Sequence, residues 1–135
     1  MDQQQIVLVT LACLGGKPCT PAQLQRAVFM VGHCIPALVE GIAFDFSFYD
    51  YGMFDPAVFD RAKSLEVDGD AAISVGGVGR WRGYDATDAG RAKAARILDA
   101  LDDDTSRMIR DIVHEACSGP RPRSRFRKLC NCPEC

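Results

Sequence analysis

Cys130, Cys132 and Cys135 form a C-x-C-x-x-C cluster, a tight grouping of metal-binding side chains. Three thiolates this close can take zinc, with Cys117 or His114 at the end of the preceding helix as a fourth ligand. A specific zinc site needs two separated pairs, so a reduced, metal-free tail is the favoured reading. No cofactor is expected, and zinc is the one candidate.

The second grouping is Arg80-Trp81-Arg82, directly after the glycine-rich Gly76-Gly77-Val78-Gly79. Two guanidinium groups beside a turn suit phosphates or a minor groove, with Trp81 stacking. Equally, Trp81 packs inward and the arginines are solvated. The glycine run is no phosphate cradle, because it lacks the P-loop lysine and the dinucleotide spacing. His33 and His114 are isolated. His33 and Cys34 are adjacent, about 100° apart on a helix, and so do not pair side chain to side chain. Asp102-Asp103-Asp104 is most simply the acidic start of a helix. No nucleophile and base stand at a telling spacing, and no catalysis is expected.

These groups sit on elements marked by strong punctuation. Ile6 to Leu14 is an apolar run stopped by Gly15-Gly16 and is read as a buried helix. Thr20-Pro21 starts a second helix, with Leu24, Ala27, Val28 and Val31 as its stripe and Gly32 and Pro36 near its end. Phe44, Phe46 and Phe48 alternate with polar residues, which predicts an extended segment with its aromatic face inward. Tyr49-Asp50-Tyr51-Gly52 then makes a turn. Asp55-Pro56 opens a third helix, striped by Val58, Phe59, Ala62 and Leu65 and ended by Asp68-Gly69-Asp70. Ala71 to Val75 and Arg80 to Ala86 read as a β-hairpin. Thr87 caps a helix running through Ala100, with Ala94, Ile97, Leu98 and Leu101 inward. Asp104 or Thr105 begins the last helix, with Met108, Ile109, Ile112, Val113 and Ala116 inward.

At 135 residues, with 47% hydrophobic and 25% charged side chains, the chain suits one folded domain. That domain is assigned to residues 1–117, and residues 118–135 to a flexible tail rich in Arg, Pro and Cys. Neither a secretory leader nor a membrane span is read in the sequence, so a cytoplasmic protein is expected. The scattered Cys13, Cys19, Cys34 and Cys117 are read as small buried apolar residues. The net charge of -2 hides an asymmetry: residues 1–117 carry 11 Lys and Arg against 17 Asp and Glu, while the tail is +4.

The order helix, helix, helix, hairpin, helix resembles a winged helix-turn-helix, an α+β, mostly helical fold whose wing is a two-stranded hairpin followed by C-terminal helices. Thr20-Pro21-Ala22-Gln23-Leu24-Gln25-Arg26-Ala27-Val28-Phe29 is similar to the "TP-x-QLQK-x-LF" start of an uncharacterised group of bacterial winged-helix proteins. Phe48 to Pro56 is similar to that group's "Y-x-YGPFS" turn, with Met53 in place of its usual proline. A related turn occurs in Panacea (SocA-like) antitoxin domains, which neutralise toxins by protein contact. Tyr84 to Gly90 is similar to the "Y-x-LT-x-x-G" wing exit of MarR- and PadR-type regulators, with Ala86 replacing leucine.

Such a fold implies DNA binding through its third helix, but that helix is acidic. Arg61 and Lys63 stand against Asp60, Glu66 and Asp68, so groove reading is disfavoured. Three readings remain. The first is an antitoxin-like or inhibitory module meeting a basic protein partner through Asp60, Glu66, Asp68, Tyr49 and Tyr51. The second is a DNA-binding transcriptional regulator, dimeric, using Arg80, Trp81, Arg82, Arg61 and Lys63 with the basic tail. The third is a zinc protein using the terminal cysteines.

Overall fold

A helix with no polar face has to be surrounded, and α1 (Gln3–Ala12) is surrounded. Every residue from Ile6 to Leu11 is buried. The hydroxyl of Thr10 is buried with them and donates to the Ile6 carbonyl (2.8 Å), which removes the cost of an unpaired polar group. A capping box starts the helix: the Asp2 carboxylate accepts from the Gln5 N–H, and the side-chain amide oxygen of Gln5 accepts from the Asp2 N–H.

The computed structural model describes residues 1–49, 52–75 and 82–117. Around α1 pack α2 (Pro21–Cys34), α3 (Pro56–Val67) and α4 (Asp88–Asp99), and α5 (Asp103–Ala116) lies mainly against α2. A short 3-10 helix (Pro36–Val39) and two antiparallel hairpins complete the described elements: β1 (Ser47–Tyr49) with β2 (Gly52–Phe54), and β3 (Ala71–Val75) with β4 (Arg82–Ala86). The fold is α+β and mostly helical. Among the described residues no helix is long and apolar enough to cross a membrane.

The expected caps are in place. Thr20 forms a capping box with Gln23, and Pro21 occupies the first turn. Asp55 caps α3 through the Ala57 N–H, and Thr87 caps α4 through the Gly90 N–H. At the other end of α3 the Asp70 N–H donates to the Leu65 carbonyl and the Gly69 N–H to the Glu66 carbonyl. This double bond pattern needs a left-handed residue between, and Gly69 supplies it at φ +84°.

The β3–β4 hairpin pairs Ala71 with Ala86 through to Val75 with Arg82. The loop between α1 and α2 adds a third strand position. Cys19 and Tyr84 exchange two backbone hydrogen bonds, at 2.8 and 2.9 Å. Tyr84 is buried and stacks on Phe59 of α3. Hairpin, α3 and the α1–α2 loop are thereby one packed unit.

Three expectations are corrected. The last helix begins at Asp103, one residue ahead of Asp104 and two ahead of Thr105. Asp102 is its cap and accepts from both the N–H and the hydroxyl of Thr105. The aromatic run is no single inward face. Phe44 and Phe46 pack on the core, but Phe48 is 67% exposed on β1, which pairs with β2. Of the scattered cysteines only Cys19 is buried; Cys13, Cys34 and Cys117 are half-buried.

Candidate functional site

Among the described residues the sequence candidates do not converge on one place. α3 presents Pro56, Asp60, Lys63 and Val67 along its outward row, and Val67 is 78% exposed. Arg61 lies about 200° round the helix from Lys63. It lines a cleft of about 690 Å³ with Gln3, Gln4, Asp68, Asp70 and Lys93. The two cations of α3 therefore do not make a common face for phosphate. In the cleft, Lys93 pairs with Asp70 at 2.7 Å, the Gln4 amide donates to Asp68, and the buried Nε of Arg61 has no hydrogen-bond partner. Leu8, Leu65 and Ile97 give the same cleft an apolar wall.

Arg82 is exposed at the start of β4, opposite Val75, which is itself 72% exposed. Arg80 and Trp81 lie outside the described residues, as does Tyr51; Tyr49 is the last residue of β1. Asp60 and Asp68 are exposed and Glu66 is half-buried. Cys130, Cys132 and Cys135 are also outside the described residues. Among the described residues no group of three or more His, Cys, Asp or Glu side chains is arranged to hold a metal ion.

A surface that sequence reasoning missed is built by the β1–β2 hairpin. Its register sets Phe48 opposite Met53 and Ser47 opposite Phe54. Phe29 on α2 supports it from beneath, with its ring edge-on to both Phe46 (5.3 Å between centroids) and Phe48 (5.5 Å). Beside the hairpin is an apolar groove of about 340 Å³, lined by Pro21, Ala22, Gln25, Met53, Phe54 and Phe59. Phe54 is 37% exposed at its edge and meets Phe59 of α3.

A buried hydrogen-bond pair holds this hairpin to the body. The Gln25 amide donates to the Asp55 carbonyl and its oxygen accepts from the Asp55 N–H, each at 3.0 Å. The Asp55 carboxylate in turn accepts from the Asp45 N–H at 2.7 Å, ahead of β1. Both ends of the hairpin are thus referred to one buried side chain on α2. The signal available in sequence was the Tyr49-to-Gly52 turn; the strands flanking it are too short to show an alternation.

Comparisons with protein-family models, with curated proteins and with solved structures found no match.

Proposed function

We propose that the chain is a non-catalytic winged-helix interaction module that docks a basic protein partner on its β1–β2 hairpin, as an antitoxin or inhibitor would. The observation that carries this is Phe48, a large aromatic side chain that is 67% exposed yet braced by Phe29, next to an apolar groove. Large side chains set among well-packed neighbours beside a pocket commonly anchor protein interfaces.

The winged-helix reading is supported by the order α1, Cys19 bridge, α2, α3, β3–β4 wing. The partner's charge follows from the body, which carries 11 basic against 17 acidic residues over positions 1–117. The groove suits one apolar side chain of that partner, with Lys or Arg around it meeting the acidic body. DNA binding through α3 gains little, since its outward row offers Lys63 alone beside Asp60.

The test is affinity capture from native lysate with and without nuclease, followed by a dissociation constant for the captured protein against the wild-type chain and Phe48→Ala. Loss of the aromatic anchor is expected to weaken binding about 30-fold, roughly 2 kcal/mol. The melting temperature should stay within about 2 °C, because the side chain is on the surface. Capture abolished by nuclease would move the assignment to DNA. Self-association lost in the same variant would give the face to a second copy. Either result, or equal affinity of the two chains, overturns the proposal.

A further inference from the structure

The cleft of about 690 Å³ shares no residue with the groove beside the β1–β2 hairpin, and its volume is that of a small-molecule site. Three helices line it in the same way. Gln4 and Leu8 come from α1, Arg61 and Leu65 from α3, and Lys93 and Ile97 from α4. Each pair is four residues apart, about one helical turn, so one polar and one aliphatic side chain share each inward face.

Most of the polar groups on this lining already have partners. Lys93 pairs with Asp70, whose side chain is only 5% exposed. Asp68 accepts from the Gln4 amide, Asp2 accepts from the Gln5 N–H, and the Gln3 amide donates to the Ile42 carbonyl. Arg61 is the exception. It is half-buried, it makes no ion pair or hydrogen bond among the described residues, and its Nε is buried besides. A guanidinium does not shed its proton to escape burial, so a partly desolvated one calls for an anion.

We propose that the cleft binds a small monocarboxylate with an aliphatic body, its carboxylate on Arg61 and its chain along Leu8, Leu65 and Ile97. The planar guanidinium can take both oxygens of a carboxylate through two parallel hydrogen bonds. The lining also limits the ligand's charge. Asp2, Asp68 and Asp70 stand against Arg61 and Lys93, so a dianion such as a phosphate monoester meets net repulsion. One negative charge is what a single free guanidinium offsets. The aliphatic body follows from the wall, to which each of the three helices gives one branched apolar side chain. Because this cleft and the Phe48 face are separate, either assignment stands without the other.

The full chain, labelled with nitrogen-15, is titrated with sodium octanoate, 1-octanol and octylamine and followed by NMR. Octanoate should bind saturably, with a dissociation constant on the order of 0.2 mM, and move the Arg61 Nε–H and the amides of Leu65 and Ile97. The alcohol has the same chain without the charge and should bind about ten-fold more weakly, as should the amine. Arg61→Gln should bring octanoate down to the alcohol's affinity, and Arg61→Lys, which keeps the charge but not the fork, should fall between. Both variants should melt within about 2 °C of the wild type, since Arg61 has no protein partner to lose. The wild-type comparison of acid with alcohol needs no variant and stands if either one unfolds. The proposal is overturned if octanoate does not bind, or if the alcohol or the amine binds as tightly. It also falls if the shifts gather at Phe48 and Met53 instead, or if Arg61→Gln keeps the wild-type affinity.

Discussion

Gly90→Ala is expected to destabilise the protein by about 3 kcal/mol, a fall of roughly 10 °C or more in melting temperature. The reason is a close approach rather than an unusual dihedral. A Cβ on residue 90 would be driven into the backbone carbonyl of Asp70. That carbonyl cannot move aside, since it accepts from the Thr87 N–H at 3.0 Å and follows the left-handed turn at Gly69. The first turn of α4 would have to lift away from the end of α3. In doing so it would pull Ala94 and Leu98 off α1 and strain the Thr87 cap. Circular dichroism melting of Gly90→Ala against Gly69→Ala checks this. Gly69 has open space around it and only an unfavourable φ, so it should lose about 1 kcal/mol. Equal losses in the two variants would refute the close-approach explanation.

Gln25→Leu is expected to lower stability by a similar amount, about 3 kcal/mol, although leucine fits the volume. The substitution strands two buried backbone groups, the N–H and the carbonyl of Asp55, with no replacement partner. Unmade buried bonds are more costly than made ones are stabilising, and here two fail together. In urea the midpoint should drop at an unchanged slope. A second readout separates this residue from an ordinary core position. The Asp55 carboxylate holds the Asp45 N–H as well as the α3 cap, so loosening Asp55 should release the β1–β2 hairpin. Fast amide exchange at Phe48 and Met53, before global unfolding, is the expected signature. Exchange at the global rate would show that Gln25 supports the core alone.

Much of the fold was legible because its boundaries are local. Thr20-Pro21, Asp55-Pro56 and Thr87 cap helices within three residues of themselves, so their chemistry is written in adjacent letters. Three consecutive aspartates are equally good caps by type, and only the double bond from Thr105 selects Asp102. The β1–β2 hairpin was hidden for the opposite reason. With three residues per strand, period-two reading cannot tell one bent extended segment from two paired ones, and Phe48 changes sides between those cases.

The candidate site was less legible still. The bracing of Phe48 by Phe29 has no local mark, because it depends on how α2 lies on its neighbours. Arg61 illustrates the limit for charges. Its type suggested an outward contact, while its place on the helix sends it into the cleft beside α1 and α4.

The buried stretch of α1 from Ile6 to Leu11 also has a consequence in time. It leaves the ribosome before any helix that covers it, and α4, which closes over it, follows some 75 residues later. At ordinary rates of synthesis that interval is on the order of ten seconds. Until α2 and α3 have followed, and fully only when α4 has, the stretch from Ile6 to Leu11 keeps apolar surface that these helices cover in the folded chain. Chains truncated ahead of α4 should yield aggregates rather than partly folded domains, which a solubility assay of such truncations checks.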